Sequence, residues 1–233
     1  MRRISPPVLL VLLFCAASHV LSGQHLRYGL NFSFNSIQHN YPVEGTRYYN
    51  VSLKPVMATK LGASVAFEYR SFRLGTGLQY MSVESKQDGG YIKTGSMAGN
   101  AQFQVANKFL IFPVDFQLLL STKWKVKPVV QAGLNIFKVM ETSYSIHIVP
   151  DEAHSHLPIV GGGTEDKRRS RFHGARVGAG AAISPFGNHE FAVLLFRNFN
   201  KSRYSLTDAN KAKYEKHEIS FNAWEVALAW TMR

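Results

Sequence analysis

The feature that most constrains this chain is an alternation of large and small side chains, repeated along most of its length. Leu26, Tyr28, Leu30, Phe32 and Phe34 alternate with Arg27, Gly29, Asn31, Ser33 and Asn35. Successive side chains of an extended strand point to opposite faces, whereas a helix would mix the two sets. The pattern returns where Trp224, Val226, Leu228, Trp230 and Met232 alternate with Ala223, Glu225, Ala227, Ala229 and Thr231. Between them, Phe72, Leu74, Leu78 and Tyr80 oppose Arg73, Gly75, Gly77 and Gln79, while Leu110, Phe112, Val114, Phe116, Leu118 and Leu120 lie opposite Asp115 and Gln117. Weaker copies at 60–69, 125–140, 171–183 and 190–199 bring the expected strands to eight. The stretch 190–199 is apolar on nearly both faces, so its register stays open.

The spacing of the strands supplies topology. Short connections (70–71, 121–123, 184–189) alternate with long ones (36–59, 84–104, 141–170, 200–217). Long structureless loops count against a compact soluble domain. They are expected of an up-and-down barrel in an outer membrane, whose short turns face the periplasm and whose long loops face outward. Composition agrees: 45% hydrophobic and 12% aromatic residues with a single Cys exclude collagen, long disorder and a disulfide scaffold. The longest apolar run, Val8 to Ala17, is also too short for a spanning helix, which needs roughly 20 residues.

Which face is inside follows from the minor set. Gly29, Gly75, Gly77, Gly133, Gly174, Gly178, Gly180, Ala227 and Ala229 dominate it, with lone charges at Arg73, Asp115, Arg176 and Glu225. A soluble barrel would instead show Lys, Glu and Thr on its outer wall. Small residues make room inside a narrow barrel whose lumen side chains just fill. The large face therefore meets lipid, and closure is obligatory because an open strand edge in hydrocarbon leaves backbone groups unpaired. Tyr28, Tyr69, Phe72, Tyr80, Trp124, Phe199, Trp224 and Trp230 fit interfacial girdles. The expectation is an all-β, eight-stranded antiparallel transmembrane barrel over residues 24–233.

Residues 1–23 have the layout of a secretory signal peptide: Arg2 and Arg3, the apolar run, then Ser22 and Gly23. A lipoprotein reading fails because Phe14 precedes Cys15 where a small residue is needed. Cleavage would remove the one Cys, leaving an exported chain without disulfides.

The stretches Arg70-Ser-Phe-Arg-Leu-Gly-Thr-Gly-Leu-Gln-Tyr80, Phe109-Leu-Ile-Phe-Pro-Val-Asp-Phe-Gln-Leu-Leu-Leu120 and Trp124-Lys-Val-Lys-Pro-Val-Val-Gln-Ala-Gly-Leu134 resemble the outer-membrane β-barrel domain of Bacteroidota, the PorT-like or "porin family" group. The resemblance covers about residues 24–233 and is one of pattern, without a catalytic signature. It implies an eight-stranded barrel in the outer membrane of a Gram-negative bacterium, and some relatives belong to a secretion apparatus. Such chains typically end in an aromatic residue read by the barrel-assembly machinery, whereas this one ends Trp230-Thr-Met-Arg233.

Eight strands leave no aqueous channel. Lumen charges then form a plug, with Asp115 and Glu225 pairing with Arg73, Lys125, Lys127 or Arg176, since buried charges must be partnered. An ion or proton path through the same residues is the alternative. A lipid-A-modifying enzyme would need an activated Ser beside a His at the outer rim. His147, His154, His156, His173, His217, Ser82, Ser96, Ser143 and Ser145 are unspecific candidates and no G-x-S-x-G elbow exists, so no catalytic residue is assigned. Asp151, Glu152, His154 and His156 mix metal-ligand types, but on a loop without a rigid outer shell they are expected to be solvated residues, and no metal or cofactor is assigned.

The formal charge of +12 concentrates usefully. Lys167, Arg168, Arg169, Arg171, Lys201, Arg203, Lys211, Lys213 and Lys216 fall in or beside long connections. On an outer rim they would meet lipopolysaccharide phosphates; nucleic acid is a poor fit because no groove is lined with stacking aromatics. The function expected is a structural or adaptor barrel without an open pore, contacting lipopolysaccharide or another envelope protein. A secretion or assembly component is the alternative, followed by a lipid-A-modifying enzyme.

Overall fold

A computed structural model describes residues 24–42, 50–52, 56–94, 97–120, 125–150, 159–165, 171–199, 201–207, 214–220 and 224–233. The expected signal peptide lies outside them. The described strands are β1 (Gln24–Pro42), β2 (Asn50–Ser52), β3 (Val56–Tyr69), β4 (Phe72–Thr94), β5 (Met97–Leu119), β6 (Val126–Pro150), β7 (Ile159–Glu165), β8 (Arg171–Phe186), β9 (His189–Phe199), β10 (Lys201–Thr207), β11 (Tyr214–Ser220) and β12 (Trp224–Met232). Eight of them, β1, β3, β4, β5, β6, β8, β9 and β12, pair antiparallel in that order, and β1 bonds both β12 and β3 to close the barrel. No backbone edge is left open within the ring, as lipid requires.

The wall separates the two residue sets. Leu134 (57% exposed), Val193 (55%) and Leu30 (53%) are among large apolar side chains pointing outward from every barrel strand. An apolar surface continuous around the whole wall needs lipid, not water. Tyr28, Phe72, Tyr80, Phe199 and Trp224 are exposed towards the ends of this belt; Trp124 lies outside the described residues. The open register of 190–199 is settled by its neighbour. Gly178 faces Phe196 and Gly180 faces Leu194 across the ladder, so these two bulky residues turn inward where β8 leaves room, and Phe191, Val193 and Leu195 turn to lipid. At Gly178 a Cβ would collide with the Phe196 ring.

Two short turns are tight. Arg70 (φ 53°) begins the turn from β3 to β4, and Gly187 (φ 42°) the turn from β8 to β9; two-residue hairpins demand such left-handed positions. The connection 184–189 thus shrinks to Gly187 and Asn188, because β8 runs on to Phe186.

The long connections differ more from expectation, being largely ladder. β4 and β5 stay paired out to Thr94 opposite Met97, and β5 and β6 out to Gly99 opposite Pro150. β7 adds to β6, β10 and β11 form a hairpin, and β11 and β2 both pair with the end of β1. Sequence alternation ends where lipid ends, but backbone groups still need partners, so pairing continues beyond the point where the pattern stops. One interruption lies within the wall. Between Thr76–Val114 and Gln79–Ile111 the ladder skips Pro113, and the Thr76 hydroxyl donates to the Pro113 carbonyl at 2.8 Å. Proline has no N–H to give, and the hydroxyl supplies a donor to its carbonyl where the ladder is interrupted.

Candidate functional site

The lumen holds three layers. Nearest the short turns, Arg27 on β1, Glu68 on β3, Arg73 on β4 and Glu190 on β9 form one ionic cluster. Glu68 and Arg73 are direct cross-strand partners beside the 70–71 turn. Arg27 donates to Glu68 through Nε (2.6 Å) and Nη2 (3.2 Å), and Arg73 donates to it through Nε at 2.5 Å. Arg73 also grips Glu190 with both terminal nitrogens, Nη2 at 2.7 Å. In the ring order β4 and β9 lie diametrically opposite, so this fork spans the lumen from wall to wall. Arg233 covers Glu68 from the open end at 2.8 Å.

The second layer is a ring of alternating sign: Lys60 on β3, Glu225 on β12, Arg176 on β8 and Asp115 on β5. These are every second strand around the barrel. In a tilted barrel, alternate strands contribute side chains to the same layer, and the strands between must be small there. Gly133 shows why. It pairs with Asp115 on one side and Arg176 on the other, and a Cβ there would overlap the Asp115 carboxylate. With no side chain between them, Arg176 donates to Asp115 through Nε at 2.9 Å and through Nη2. Lys60 Nζ lies 2.5 Å from Glu225, Arg176 lies 3.8 Å from it, and the Asn198 amide donates to it at 2.9 Å. The Arg176 guanidinium also sits 4.7 Å over the Phe196 ring.

Each layer is charge-balanced, two cations against two anions, and nearly all these side chains are buried. The balance makes burial tolerable: a paired, hydrogen-bonded ion approaches neutrality in folding energy, while one deprived of its partner costs about 3–5 kcal/mol.

Towards the long connections the interior turns apolar. Ile37, Ala58, Met81, Val83, Phe109, Ile111, Phe137, Val139 and Phe172 form a buried cluster. Phe137 and Phe172 stack at 4.5 Å, and Phe109 meets both edge-on at 6.4 and 6.1 Å. Below this plug lie buried amides: Asn35 Oδ1, Gln79 Oε1 and both polar atoms of Asn135 have no hydrogen-bond partner among the described residues. A cavity of about 70 Å³, lined by Arg27, Arg73, Gln79, Asp115, Arg176 and Glu225 among others, runs between the ionic layers. It has room for several water molecules and no more.

Of the lumen residues expected from sequence, Arg73, Asp115, Arg176 and Glu225 meet in these layers. Lys125 and Lys127 do not join: they share the inward parity of Val129 and Gln131 but sit at the short-turn end, exposed and half-buried respectively, where water solvates an ammonium. Arg27, Lys60, Glu68 and Glu190 were missed. For Arg27, Lys60 and Glu68 the available signal was parity with the small face of their strands; Glu190 had none, because the register of 190–199 was open. The apolar plug was also unforeseen, because glycine and ions were expected to fill the whole lumen.

The candidate rim residues are only partly described. Arg171 is exposed on the wall; Lys201 and Arg203 lie on β10 and Lys216 on β11. Lys167, Arg168, Arg169, Lys211 and Lys213 lie outside the described residues, as do Asp151, Glu152, His154 and His156. Ser82 on β4 and His173 on β8 are separated by two strands.

No family model matches the chain, and no curated protein does. Several solved structures do. Neisserial surface protein A is 11% identical, covering 91% of this chain and 99% of its own, with a TM-score of 0.44. The outer membrane protein OprG from Pseudomonas aeruginosa is 11% identical, covering 91% and 95%, with a TM-score of 0.47. Ail, the attachment invasion locus protein of Yersinia pestis, is 8% identical, covering 91% and 100%, with a TM-score of 0.30.

Proposed function

We propose that this chain is an outer-membrane protein of structural or adaptor type in a Gram-negative envelope, exported by residues 1–23 and inserted by the barrel-assembly machinery. Its lumen is a strut, not a passage, and its long connections meet lipopolysaccharide or an envelope partner. The observation that carries this reading is the filled interior: a wall-to-wall Arg73–Glu190 fork, a ring of four alternating charges and an aromatic plug in series. Such filling stiffens a barrel and opposes solute flow. Purified full-length protein in planar bilayers should show no stepwise conductance, and crosslinking with pull-down from intact outer membranes should return a reproducible envelope partner. Ohmic conductance from the wild-type barrel would sink the strut reading.

A second reading, a component of a secretion or assembly complex, rests on the PorT-like resemblance and on the ladder extensions. Extended sheet beyond the wall presents a firm surface for a partner chain. Deleting the protein would then strand cargo in the periplasm. A lipid-A-modifying reading would have to use a Ser and a His brought side by side; Ser82 and His173 lie on strands that do not adjoin, whereas Ser145 and His147 are two residues apart on β6.

A further inference from the structure

The outer wall carries a feature that the lumen does not explain. On three adjacent strands the outward column is apolar and then turns basic towards the long connections. On β6 it runs from Val126 through Val130, Leu134 and Ile136 to Lys138; on β8 from Ile183 through Val177 to His173 and Arg171; on β5 from Leu120 through Phe116, Val114, Phe112 and Leu110 to Lys108. The apolar parts, 126–136, 175–183 and 110–120, each match the roughly 9–11 residues with which a tilted strand crosses hydrocarbon. The bases therefore sit at the edge of the hydrocarbon on the side of the long connections, with one further exposed apolar residue, Met140, beyond Lys138 on β6.

Two of these bases are placed against each other. Lys138 and Arg171 are direct cross-strand partners. Their neighbours Phe137 and Phe172 are the stacked pair of the plug, so Lys138 and Arg171 point out of the barrel. Like charges directly opposite on one sheet face repel. Lys108 has an acid, Glu141, at 2.7 Å, but neither Lys138 nor Arg171 has an ion-pair partner among the described residues. His173 follows two residues along β8 on the same face. The stacked rings behind hold both backbones in place, so the repulsion is not relieved by the wall giving way.

We propose that Lys138 and Arg171, with His173 beside them, form a site for a phosphate group of the phosphorylated glycolipid in the outer leaflet. Its acyl chains would lie along Ile136, Leu134, Phe112 and Val177. A phosphate dianion between the two bases replaces repulsion by two charge-assisted bonds, and arginine supplies a planar fork suited to it. The apolar column directly below favours a lipid phosphate over the free ion. This site rests on the outer-membrane reading above and gives its lipopolysaccharide contact a place on the wall and named residues.

The test uses the full-length protein in nanodiscs doped with bisphosphorylated lipid A, dephosphorylated lipid A, or inorganic phosphate alone. Retained lipid is counted by native mass spectrometry and thermal midpoints are recorded. Bisphosphorylated lipid A should bind the wild type at least ten-fold more tightly than the K138Q/R171Q double variant, and dephosphorylated lipid or free phosphate should bind neither well. Arg171→Lys should keep most of the affinity, and Lys86→Gln, an exposed base on β4, should change nothing. The single variant Lys138→Gln should melt no lower than wild type without anionic lipid and lower than wild type with it. That reversal of order separates a lipid site from a folding defect. Equal affinity of wild type and double variant, or equal binding of dephosphorylated lipid, overturns the site. If the wild type fails to fractionate with outer membranes, the proposed function falls and the site with it; if it fractionates there and affinity is unchanged, only the site falls.

Discussion

The two ends of the lumen fill the same narrow space differently, one with ions crossing the bore and the other with apolar side chains alone. Towards the short turns, Arg27, Glu68, Arg73 and Glu190, then Lys60, Asp115, Arg176 and Glu225, cross the bore as matched ions, beside a smaller apolar cluster of Leu119, Val129, Ala182, Leu194, Phe196 and Ala227 on the β5–β12 side. Towards the long connections, three phenylalanines and six aliphatic residues do the same work by volume. An ionic layer tolerates no missing partner but accepts water in its gaps, as the 70 Å³ cavity among these charges illustrates. An aromatic layer tolerates no missing volume and excludes water. The difference teaches that a filled barrel can be stabilised by pairing or by packing, and that the two modes fail differently.

Glu225→Ala is the sharpest way to break the contrast. It strands Lys60, whose close anion is Glu225, and leaves Arg176 with Asp115 alone; destabilisation within the range for an orphaned buried charge, about 4 kcal/mol, is expected. Urea unfolding of the barrel in lipid vesicles measures it. Adding Lys60→Met should recover most of the loss, because the penalty lies in the orphaned charge and not in the vacated space. No recovery would mean that the ring acts through packing.

Phe137→Ala should cost somewhat less, about 3 kcal/mol, since Ile111 and Val139 can move into part of the void. Here no change of charge elsewhere should compensate, while Phe137→Leu should restore roughly half. The same unfolding series decides, and rescue of Phe137→Ala by a charge substitution would erase the distinction between the layers.

The smallest effect tests the boundary between the two modes. Asn135 is fully buried, and neither its Oδ1 nor its Nδ2 has a hydrogen-bond partner among the described residues. Asn135→Leu, similar in shape and free of polar atoms, should stabilise the barrel by about 1 kcal/mol. A loss of stability instead would show that the amide is held by water from the cavity below.

Alternation along 26–35, 72–80, 110–120 and 224–232 was enough to specify eight strands, a closed ring and which face meets lipid, because lipid and lumen impose opposite demands on neighbouring residues. The tight turn at Arg70 and Ser71 was also legible, since only two residues separate two strong patterns. Three things needed the tertiary structure. The register of β9 depends on Gly178 and Gly180 of β8 opposite its bulky residues. The ionic ring joins residues from alternate strands as far apart as Lys60 and Glu225, an adjacency that strand tilt creates and that spacing along the chain does not encode. The ladder beyond the wall carries no amphipathic signal, because once lipid no longer touches one face, backbone pairing alone keeps the strands together.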